Sequence, residues 1–253
     1  MEHIDSTPAR VILVLGGTGG IGSAICRQLL SEGATVVSAS RSGADVPGIP
    51  EGESTDRISY TTLDATDFDQ VAELTQRIQS QHEHLNGLVN AVGSMLLKPA
   101  HLTTRTEWEN VLSTNLTSAF AAVRSATKVM RKSGGSIVLL ASAAAATGLR
   151  NHEAIAAAKG GVAGLARSAA ATYARSGIRV NCVSPGMVET PLSEPLLSNE
   201  KARAASVSLH PLGRLGSTDE IASAVCWLLH PDQSWVTGQT LGVDGGLATL
   251  RTA

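Results

Sequence analysis

A glycine-rich segment follows the first apolar run of the chain. Residues 11–15 (VILVL) lead directly into GGTGGIG at positions 16–22, and a helical pattern of apolar residues comes next. Glycine permits the positive φ angles of a tight turn, and it lets backbone N–H groups approach a phosphate at the positive end of a helix dipole. This order of strand, turn and helix predicts binding of a dinucleotide pyrophosphate, although a plain tight turn would use the same glycines.

The residues at the end of the second apolar run indicate which nucleotide would bind. It reads SASRS at positions 38–42, and the first acidic residue beyond it is Asp45. A carboxylate here would accept hydrogen bonds from a ribose 2′-hydroxyl and repel a 2′-phosphate, whereas a guanidinium beside hydroxyls suits that phosphate. We therefore expect NADP(H) rather than NAD(H), with Ser40 and Arg41 as ligands. The alternative is that Arg41 is a solvated surface residue.

Short apolar runs alternate with longer helical patterns along the chain. Strands are predicted at 11–15, 35–39, 58–62, 87–92, 136–141, 178–183 and 240–243. Apolar residues at i, i+3, i+4 spacing predict helices at 21–30, 71–78, 108–130, 155–174 and 221–229. Repeated strand–helix–strand units imply parallel pairing with right-handed crossovers. We therefore predict an α/β fold, a single-domain Rossmann-type doubly wound parallel sheet with helices on both faces. It would span residues 1–253, with a short disordered N-terminal arm at about 1–9.

The composition argues against several classes of binding partner. The 253 residues carry 20 basic and 22 acidic side chains, and aromatic residues make up 3%, so neither a polyanion-binding nor a base-stacking surface is expected. No apolar run approaches a membrane span, and the start of the chain lacks the basic region of a secretory signal. Three widely spaced cysteines, Cys26, Cys182 and Cys226, are typical of buried thiols in a reducing compartment. We expect a cytoplasmic protein that binds neither nucleic acid nor membranes.

Two stretches lack a regular pattern. Residues 42–56 are rich in Gly, Pro and acidic residues and are interpreted as a surface loop. Residues 189–216, here called the flap, place three prolines among leucines, which indicates a mobile cover with an apolar underside. His82 and His84 flank Glu83 in a polar turn, which we do not interpret as a metal site.

The order of these features resembles the short-chain dehydrogenase/reductase family over residues 11–246. The glycine run matches the family motif TGxxxGxG, with Leu15 in the Thr position. NAVG at 90–93 resembles NNAG with two changes, NCVSPGMVET at 181–190 looks like N-x-x-x-PG-x-V-x-T, and GQTLGVDGG at 238–246 looks like the C-terminal signature. The resemblance implies that a nicotinamide cofactor is held by Gly16, Thr18, Gly20, Ile21, Gly22, Asp64, Asn90, Lys159, Pro185, Gly186 and Thr190. In the family, the counterpart of Asp64 binds the adenine ring and that of Thr190 binds the nicotinamide amide.

The resemblance also implies catalytic positions. Asn115 matches the helix asparagine that supports a proton-relay water, Ser142 matches the serine after the fifth strand, and Lys159 matches the lysine that bridges the ribose hydroxyls. The family tyrosine stands four residues before the lysine and thirteen after the serine, and both counts lead to Ile155. An aliphatic side chain supplies no proton, and loss of a general acid typically costs about 10²–10⁴ in rate. Ordinary ketone reduction is therefore expected to be feeble unless another group replaces the phenol.

His152 is the candidate replacement. It lies three residues before Ile155 and seven before Lys159, so helical spacing puts all three on one face. In the family's divergent enoyl-thioester reductase branch, the tyrosine stands seven residues before the lysine, which is the position of His152 here. A neutral imidazole can donate N–H to a carbonyl or enolate oxygen. The alternatives are that His152 is a surface residue at a helix start, Ser142 a strand-end serine and Lys159 a solvated lysine.

Three functions remain open at this point. The first is an atypical NADP(H)-dependent oxidoreductase that acts on a small or medium apolar carbonyl or enoyl substrate lying under Met187 and the flap. The second is a cofactor-binding pseudo-enzyme or regulatory subunit with little turnover, and the third is non-redox chemistry such as dehydration or isomerisation. The resemblance further implies a homo-oligomer, a dimer or tetramer, joined through the helices predicted at 108–130 and 155–174.

Overall fold

Seven parallel strands form one sheet in the residues that the computed structural model describes, 9–49 and 55–251. They are β1 (Val11–Leu15), β2 (Thr35–Ser40), β3 (Ile58–Thr62), β4 (Gly87–Asn90), β5 (Gly135–Leu140), β6 (Ile178–Pro185) and β7 (Thr240–Val243). Their spatial order is β3-β2-β1-β4-β5-β6-β7, and each neighbouring pair is parallel. The chain runs from the middle of the sheet to one edge, returns at β4 and continues to the other edge. The predicted doubly wound topology is confirmed.

Helices cover both faces of this sheet. They are α1 (Gly20–Ser31), α2 (Phe68–His82), α3 (Arg105–Leu112), α4 (Ser118–Met130), α5 (Glu153–Tyr173), α6 (Glu194–Leu197), α7 (Glu200–Leu209) and α8 (Thr218–Leu229). α1 and α8 bury one face, in an apolar cluster that includes Val14 and Leu29. α2, α4 and α5 bury the other, in a cluster that includes Leu13 and Ile137. Because both faces are buried, the inner strands are largely apolar, and all five residues of β1 are apolar and buried.

The strand order reverses at β1, which pairs with β2 on one side and β4 on the other. In open parallel sheets a crevice forms at such a point, beyond the carboxyl ends of the strands. The glycine turn follows β1, the segment 90–93 begins at the last residue of β4, Ser142 follows β5 and Pro185 ends β6. The predicted site residues from four separate parts of the chain therefore reach one edge of the sheet.

The helix predicted at 108–130 is divided in the structure. α3 begins with a capping box, in which the Thr104 hydroxyl accepts the Glu107 N–H while the Glu107 carboxylate accepts the Thr104 N–H. A π-helical turn at Ser113–Thr117 then separates α3 from α4. A single π turn shifts the hydrogen-bond pattern by one residue, which is too small a change for apolar periodicity to reveal.

The flap contains the two short helices α6 and α7, so its proline-rich sequence does not make it irregular throughout. The predicted N-terminal arm lies outside the described residues except for its last residue, and so does part of the loop predicted at 42–56. None of the described helices combines the length and the apolar character that crossing a membrane requires.

Candidate active site

The glycine turn after β1 is packed so closely that side chains have no room. Gly16 has a φ of +81°, and a Cβ there would lie 3.0 Å from backbone atoms of Ala91 and Val92. A Cβ on Gly22 would lie 2.1 Å from the carbonyl oxygen of Gly16, and one on Gly20 would lie 2.9 Å from the side chain of Thr190. These glycines bring three backbone segments together at the carboxyl edge of the sheet.

The first turn of α1, next to these glycines, has no side-chain cap, because its N-cap residue is Gly19. By contrast, α2, α3, α7 and α8 begin with a side chain that accepts a backbone N–H. Uncapped N–H groups at the positive end of a helix dipole suit an anion. Thr18 and Ile21, both half-buried, border this turn. The turn therefore fits the pyrophosphate of a dinucleotide cofactor.

Ser40 and Arg41, at the end of β2, have different surroundings. The Ser40 Oγ accepts the Gly43 N–H at 3.1 Å and lies 3.2 Å from the Ser42 Oγ. Arg41 is exposed, and within the described chain it makes neither a hydrogen bond nor an ion pair. Ser40 thus shapes the turn, while the Arg41 guanidinium is available to an anionic ligand.

Asp64 and Asn90 differ in which of their atoms can face a cofactor. Asp64 is exposed, and its Oδ1 accepts the N–H and the hydroxyl of Thr66 at 2.9 and 2.8 Å, so Oδ2 is open to another donor. Asn90 is buried; its Nδ2 donates to the Ser118 Oγ at 3.1 Å and its Oδ1 accepts the Val92 N–H at 3.3 Å. The Asn90 side chain therefore joins β4 to α4 and holds the segment that follows β4.

Lys159 is buried on α5 beside the carboxyl end of β5. Its Nζ donates to the Leu140 carbonyl oxygen at 2.8 Å, and the residue is 8% exposed. Burial lowers the pKa of the ammonium from 10.5 to about 8, because the charged form loses its hydration. Lys159 is therefore still protonated at neutral pH and brings a positive charge to the site.

Asn115 and Lys159 both lie close to Gly93, in the loop that follows β4. It lies in the π turn, where its Nδ2 donates to the Val111 carbonyl at 3.0 Å and to the Ser94 Oγ at 2.9 Å, and its Oδ1 accepts the Ser94 N–H at 3.2 Å. A Cβ on Gly93 would lie 3.1 Å from the Asn115 Oδ1 and 3.5 Å from the Lys159 Nζ. The two predicted residues thus both lie close to Gly93. Ser94, which the motifs did not include, belongs to this cluster.

Ser142 retains a hydroxyl that can donate a proton in a hydrogen bond, whereas Ile155 has no such group. The Ser142 Oγ accepts the Ala144 N–H at 3.2 Å, which leaves its own proton for an acceptor in the site. Ile155 is 6% exposed and packs against apolar residues of α3 and α5 that include Val111 and Ala158. The two tyrosines of the chain lie on β3 and at the far end of α5, at positions 60 and 173. Tyr60 is in the middle of its strand and Tyr173 is the last residue of its helix, so neither lies at the carboxyl edge of the sheet.

His152 stands immediately before α5 as its N-cap residue rather than within the first turn. Its Nδ1 lies 2.7 Å from the Arg150 carbonyl oxygen. Because a carbonyl only accepts, Nδ1 carries the proton of this bond, and the Nε2 of a neutral imidazole then holds a lone pair. The predicted donation by neutral His152 is therefore not available at Nε2; donation there requires the imidazolium.

The segment after β6 returns to the glycine turn through Thr190. The Thr190 N–H donates to the Ser193 Oγ at 3.0 Å, and the two hydroxyl oxygens are 3.2 Å apart. Ser193 is buried and its hydroxyl also contacts the Val188 carbonyl at 2.6 Å. Ser193 thus holds Thr190 in place against Gly20.

A buried histidine that the motifs did not single out, His210, lies behind Gly186. A Cβ on Gly186 would lie 2.6 Å from the His210 Nε2, so packing against the imidazole requires a glycine here. The Met187 N–H donates to the same Nε2 at 3.0 Å. The contact joins residues 23 positions apart, and no local pattern in the sequence signals it.

Comparisons with known proteins agree with this geometry. A family model described as enoyl-(acyl carrier protein) reductase matches residues 16–248. Cis-4-hydroxycyclohexanecarboxylate dehydrogenase from Sinomonas cyclohexanicum is 38% identical over 244 residues, covering 95% of this chain and 97% of that protein. The 3-oxoacyl-[acyl-carrier-protein] reductase FabG from Thermotoga maritima is 35% identical over 243 residues, covering 94% and 97%.

A solved structure shows the same arrangement over nearly the whole chain. ElxO with NADP bound superimposes with a TM-score of 0.89 at 29% identity, covering 96% of this chain and 100% of that one. The matches in sequence and in structure extend over nearly the entire chain, and both relatives named above are oxidoreductases. The resemblance inferred from the motifs is thus confirmed, and the chain belongs to the short-chain dehydrogenase/reductase family.

Proposed function

We propose that the protein is an NADP(H)-dependent oxidoreductase that transfers a hydride between the nicotinamide and a small or medium apolar carbonyl or enoyl substrate. The observation that carries this proposal is the cluster around Gly93, where the Lys159 ammonium and the Asn115 amide meet beside the end of β5. It lies at the same sheet edge as the glycine turn. A substrate oxygen at that edge would therefore be close to a buried positive charge.

NADP(H) is favoured over NAD(H) by the end of β2. Arg41 is exposed there without a partner among the described residues, and no carboxylate lies between the end of β2 and Asp45. A guanidinium can bind the 2′-phosphate through two parallel hydrogen bonds. ElxO, which shares the fold, is known with NADP bound.

Each side chain of the reacting end has a separate role in this proposal. The cofactor, when bound, supplies the hydride. Lys159 stabilises the negative charge that develops on the substrate oxygen, and the Ser142 hydroxyl donates a hydrogen bond to that oxygen. Asn115 holds the segment of Gly93 and Ser94 against Lys159 through its hydrogen bonds to Ser94.

The aliphatic Ile155 favours an enoyl substrate over a simple ketone. Hydride addition to a conjugated C=C gives an enolate, which is stabilised by charge and hydrogen bonds before it takes up a proton. A ketone gives a more basic alkoxide, which needs a proton donor as it forms. Lys159 and Ser142 can stabilise the enolate, the first by its charge and the second by a hydrogen bond. The matching family model is described as an enoyl-(acyl carrier protein) reductase, which also favours an enoyl substrate.

The proposal is tested on the purified full-length chain in two steps. Calorimetry with NADPH and NADH is expected to show tighter binding of NADPH, and loss of NADPH absorbance is then followed with an enone and with a ketone. Faster oxidation with the enone supports enoyl reduction. Uptake of neither nucleotide contradicts the proposal, and binding without turnover of either substrate shows a cofactor-binding protein instead.

His152, as the imidazolium, is the proposed proton donor. His152→Ala is expected to lower kcat roughly 10²-fold while NADPH affinity stays unchanged, because only the proton transfer is lost. His101→Ala, at an exposed histidine, is the matched control. Unchanged turnover in His152→Ala would remove His152 from the mechanism.

We also propose that the protein is a cytoplasmic homo-oligomer, a dimer or tetramer. The three cysteines are free and buried, as is usual in a reducing compartment. Phe120 on α4 is 48% exposed, and α5 carries Gly160 and Gly164, at which an added Cβ would meet no atom within 4 Å. Sedimentation of the purified chain tests the assembly, and a monomer at micromolar concentration would contradict it.

A further inference from the structure

His210 takes no part in the proposed reaction, yet both of its ring nitrogens are held in buried contacts. It is 4% exposed and directly follows α7. Its Nδ1 lies 2.6 Å from the Ser206 carbonyl oxygen, and its Nε2 lies 3.0 Å from the Met187 nitrogen. The imidazole therefore joins the end of the flap to the segment that follows β6.

The two partners of His210 determine which form of the imidazole fits. The Ser206 carbonyl only accepts, so Nδ1 must carry a proton. The Met187 N–H only donates, so Nε2 must offer a lone pair. Both contacts are made together only by the neutral imidazole with its proton on Nδ1. In the imidazolium, the N–H at Nε2 would face the Met187 N–H, and that hydrogen bond would be lost.

Met187 is also the point at which the two ends of the flap meet. Its carbonyl accepts the Gly216 N–H at 3.0 Å, and Val188 forms a parallel bridge with Gly216. Two residues further on, Thr190 lies against the glycine turn. Movement of Met187 would therefore be passed to the segment that approaches the proposed cofactor site.

A cavity of about 370 Å³ borders His210 and Met187, and its lining includes the apolar side chains of Leu212, Ile221 and Leu250. This space would let Met187 shift if its hydrogen bond to His210 were broken. The charged residues that line the same cavity already have partners. Arg214 pairs with Glu220 at 2.6 Å, and the Asp244 carboxylate accepts the N–H groups of Gly246 and Ala248 at 2.9 and 3.0 Å.

We propose that His210 is a positioning residue that, in its neutral form, holds Met187 and the flap in place beside the cofactor, and that its protonation releases them. The effect on ligand binding rests on the proposed function, because it takes NADPH as the ligand. The contact between His210 and Met187 does not depend on that function and can be measured without any ligand.

The first test separates the hydrogen bond from the packing. In His210→Gln, the amide oxygen can still accept the Met187 N–H, whereas His210→Leu fills the space without an acceptor. Hydrogen exchange of the Met187 amide is expected to be roughly tenfold faster in His210→Leu than in the wild type, and close to the wild-type rate in His210→Gln. His230→Gln, at a partly exposed histidine, is the control. Equal Met187 exchange in all four proteins would overturn the proposal.

The second test uses pH and the intact wild type, so it does not depend on the folding of a variant. Nitrogen chemical shifts of the histidines are expected to show the Nδ1–H tautomer for neutral His210. Where the same nitrogen shifts show that acid has protonated His210, Met187 exchange in the wild type should be faster and NADPH binding several-fold weaker, beyond any change in His210→Gln over the same interval. The Nε2–H tautomer, or identical pH dependence in both proteins, would overturn the proposal. Failure of every protein to bind NADPH would contradict the proposed function alone, because the exchange result still decides the role of His210.

Discussion

The nucleotide end and the reacting end of the site are built in different ways. At the nucleotide end the geometry comes from backbone packing, since a Cβ on Gly16 or Gly22 would collide with neighbouring backbone atoms. At the reacting end it depends on single side chains, and there Lys159 and Asn115 are in place while Ile155 stands where the family has a phenol. A site built from backbone is inseparable from the fold, whereas a site built from side chains can lose one function while the fold is kept.

The largest effect is expected from a substitution that restores the phenol at the reacting end. Ile155→Tyr is expected to raise the rate of ketone reduction by about 10²–10⁴, because it supplies a general acid next to the Lys159 ammonium. Single-turnover oxidation of NADPH with a ketone measures this rate. Ile155→Phe is the matched control, since it adds the ring without the hydroxyl. A similar gain in both variants would show that ring size rather than proton donation limits the reaction.

At the nucleotide end, the largest effect is expected for Gly22→Ala. The added Cβ would lie 2.1 Å from the Gly16 carbonyl oxygen, so the backbone must shift, at a cost of about 3 kcal/mol in the free energy of unfolding. Denaturant unfolding measures the loss, and NADPH binding should weaken as well. In Gly148→Ala, at an exposed glycine outside the helices, no atom lies within 4 Å of the new Cβ, and stability should rise by up to about 1 kcal/mol. Equal effects of the two substitutions would contradict the role given to backbone packing.

Arg41 is the exception at the nucleotide end, because its contribution comes from a side chain. Arg41→Ala is expected to weaken NADPH binding by about 1.5–3 kcal/mol, the value of a hydrogen bond to a charged group. NADH lacks the 2′-phosphate, so its affinity should barely change. Calorimetric titration of both nucleotides checks the prediction, and equal weakening of the two would refute the proposed preference for NADP(H).

The last effect concerns the pH dependence of stability at the reacting end, and it is small at any single pH step. Burial lowers the pKa of Lys159 from 10.5 to about 8, so between these values the folded state binds fewer protons than the unfolded state. The free energy of unfolding should therefore rise with pH across this window, by at most about 1.4 kcal/mol per pH unit, and the cost of burying the charge is fully present below pH 8. Lys159→Met should lack this component of the slope. Denaturant unfolding at several pH values measures it, and parallel curves for the two proteins would show that Lys159 is not buried as a charged group.

The inner strands of the sheet were predictable because they are buried on both faces and so appear as largely apolar runs. β1, β3 and β7 have the predicted bounds, and the remaining strands end within two residues of the predictions. The start of α2 was harder to predict, because its first turn is polar and is set by the Asp67 side chain, which accepts the N–H groups of Asp69 and Gln70. Polar helix ends carry no apolar periodicity, so they are found from caps rather than from spacing.

The site was predictable where the residue type at a single position decides the chemistry. The counts from Lys159 and Ser142 both identify Ile155 as the residue in the tyrosine position, and the structure shows it packed among apolar side chains. The surroundings of Asn90 and Gly186 could not be predicted. The side chain of Asn90 is held by Ser118, and Gly186 faces His210, so each depends on a partner more than 20 residues away.

The amino-acid sequence by itself determined the strand–helix order, the glycine turn at the end of β1 and the loss of the phenol at Ile155. These are properties of residue type and of local spacing. Only the tertiary structure decided that Asn115 and Lys159 meet at Gly93, that His152 donates through Nδ1 to its own turn, and that His210 holds Met187. Hydrogen-bond direction and burial depend on the groups that folding brings together, and spacing along the chain does not specify them.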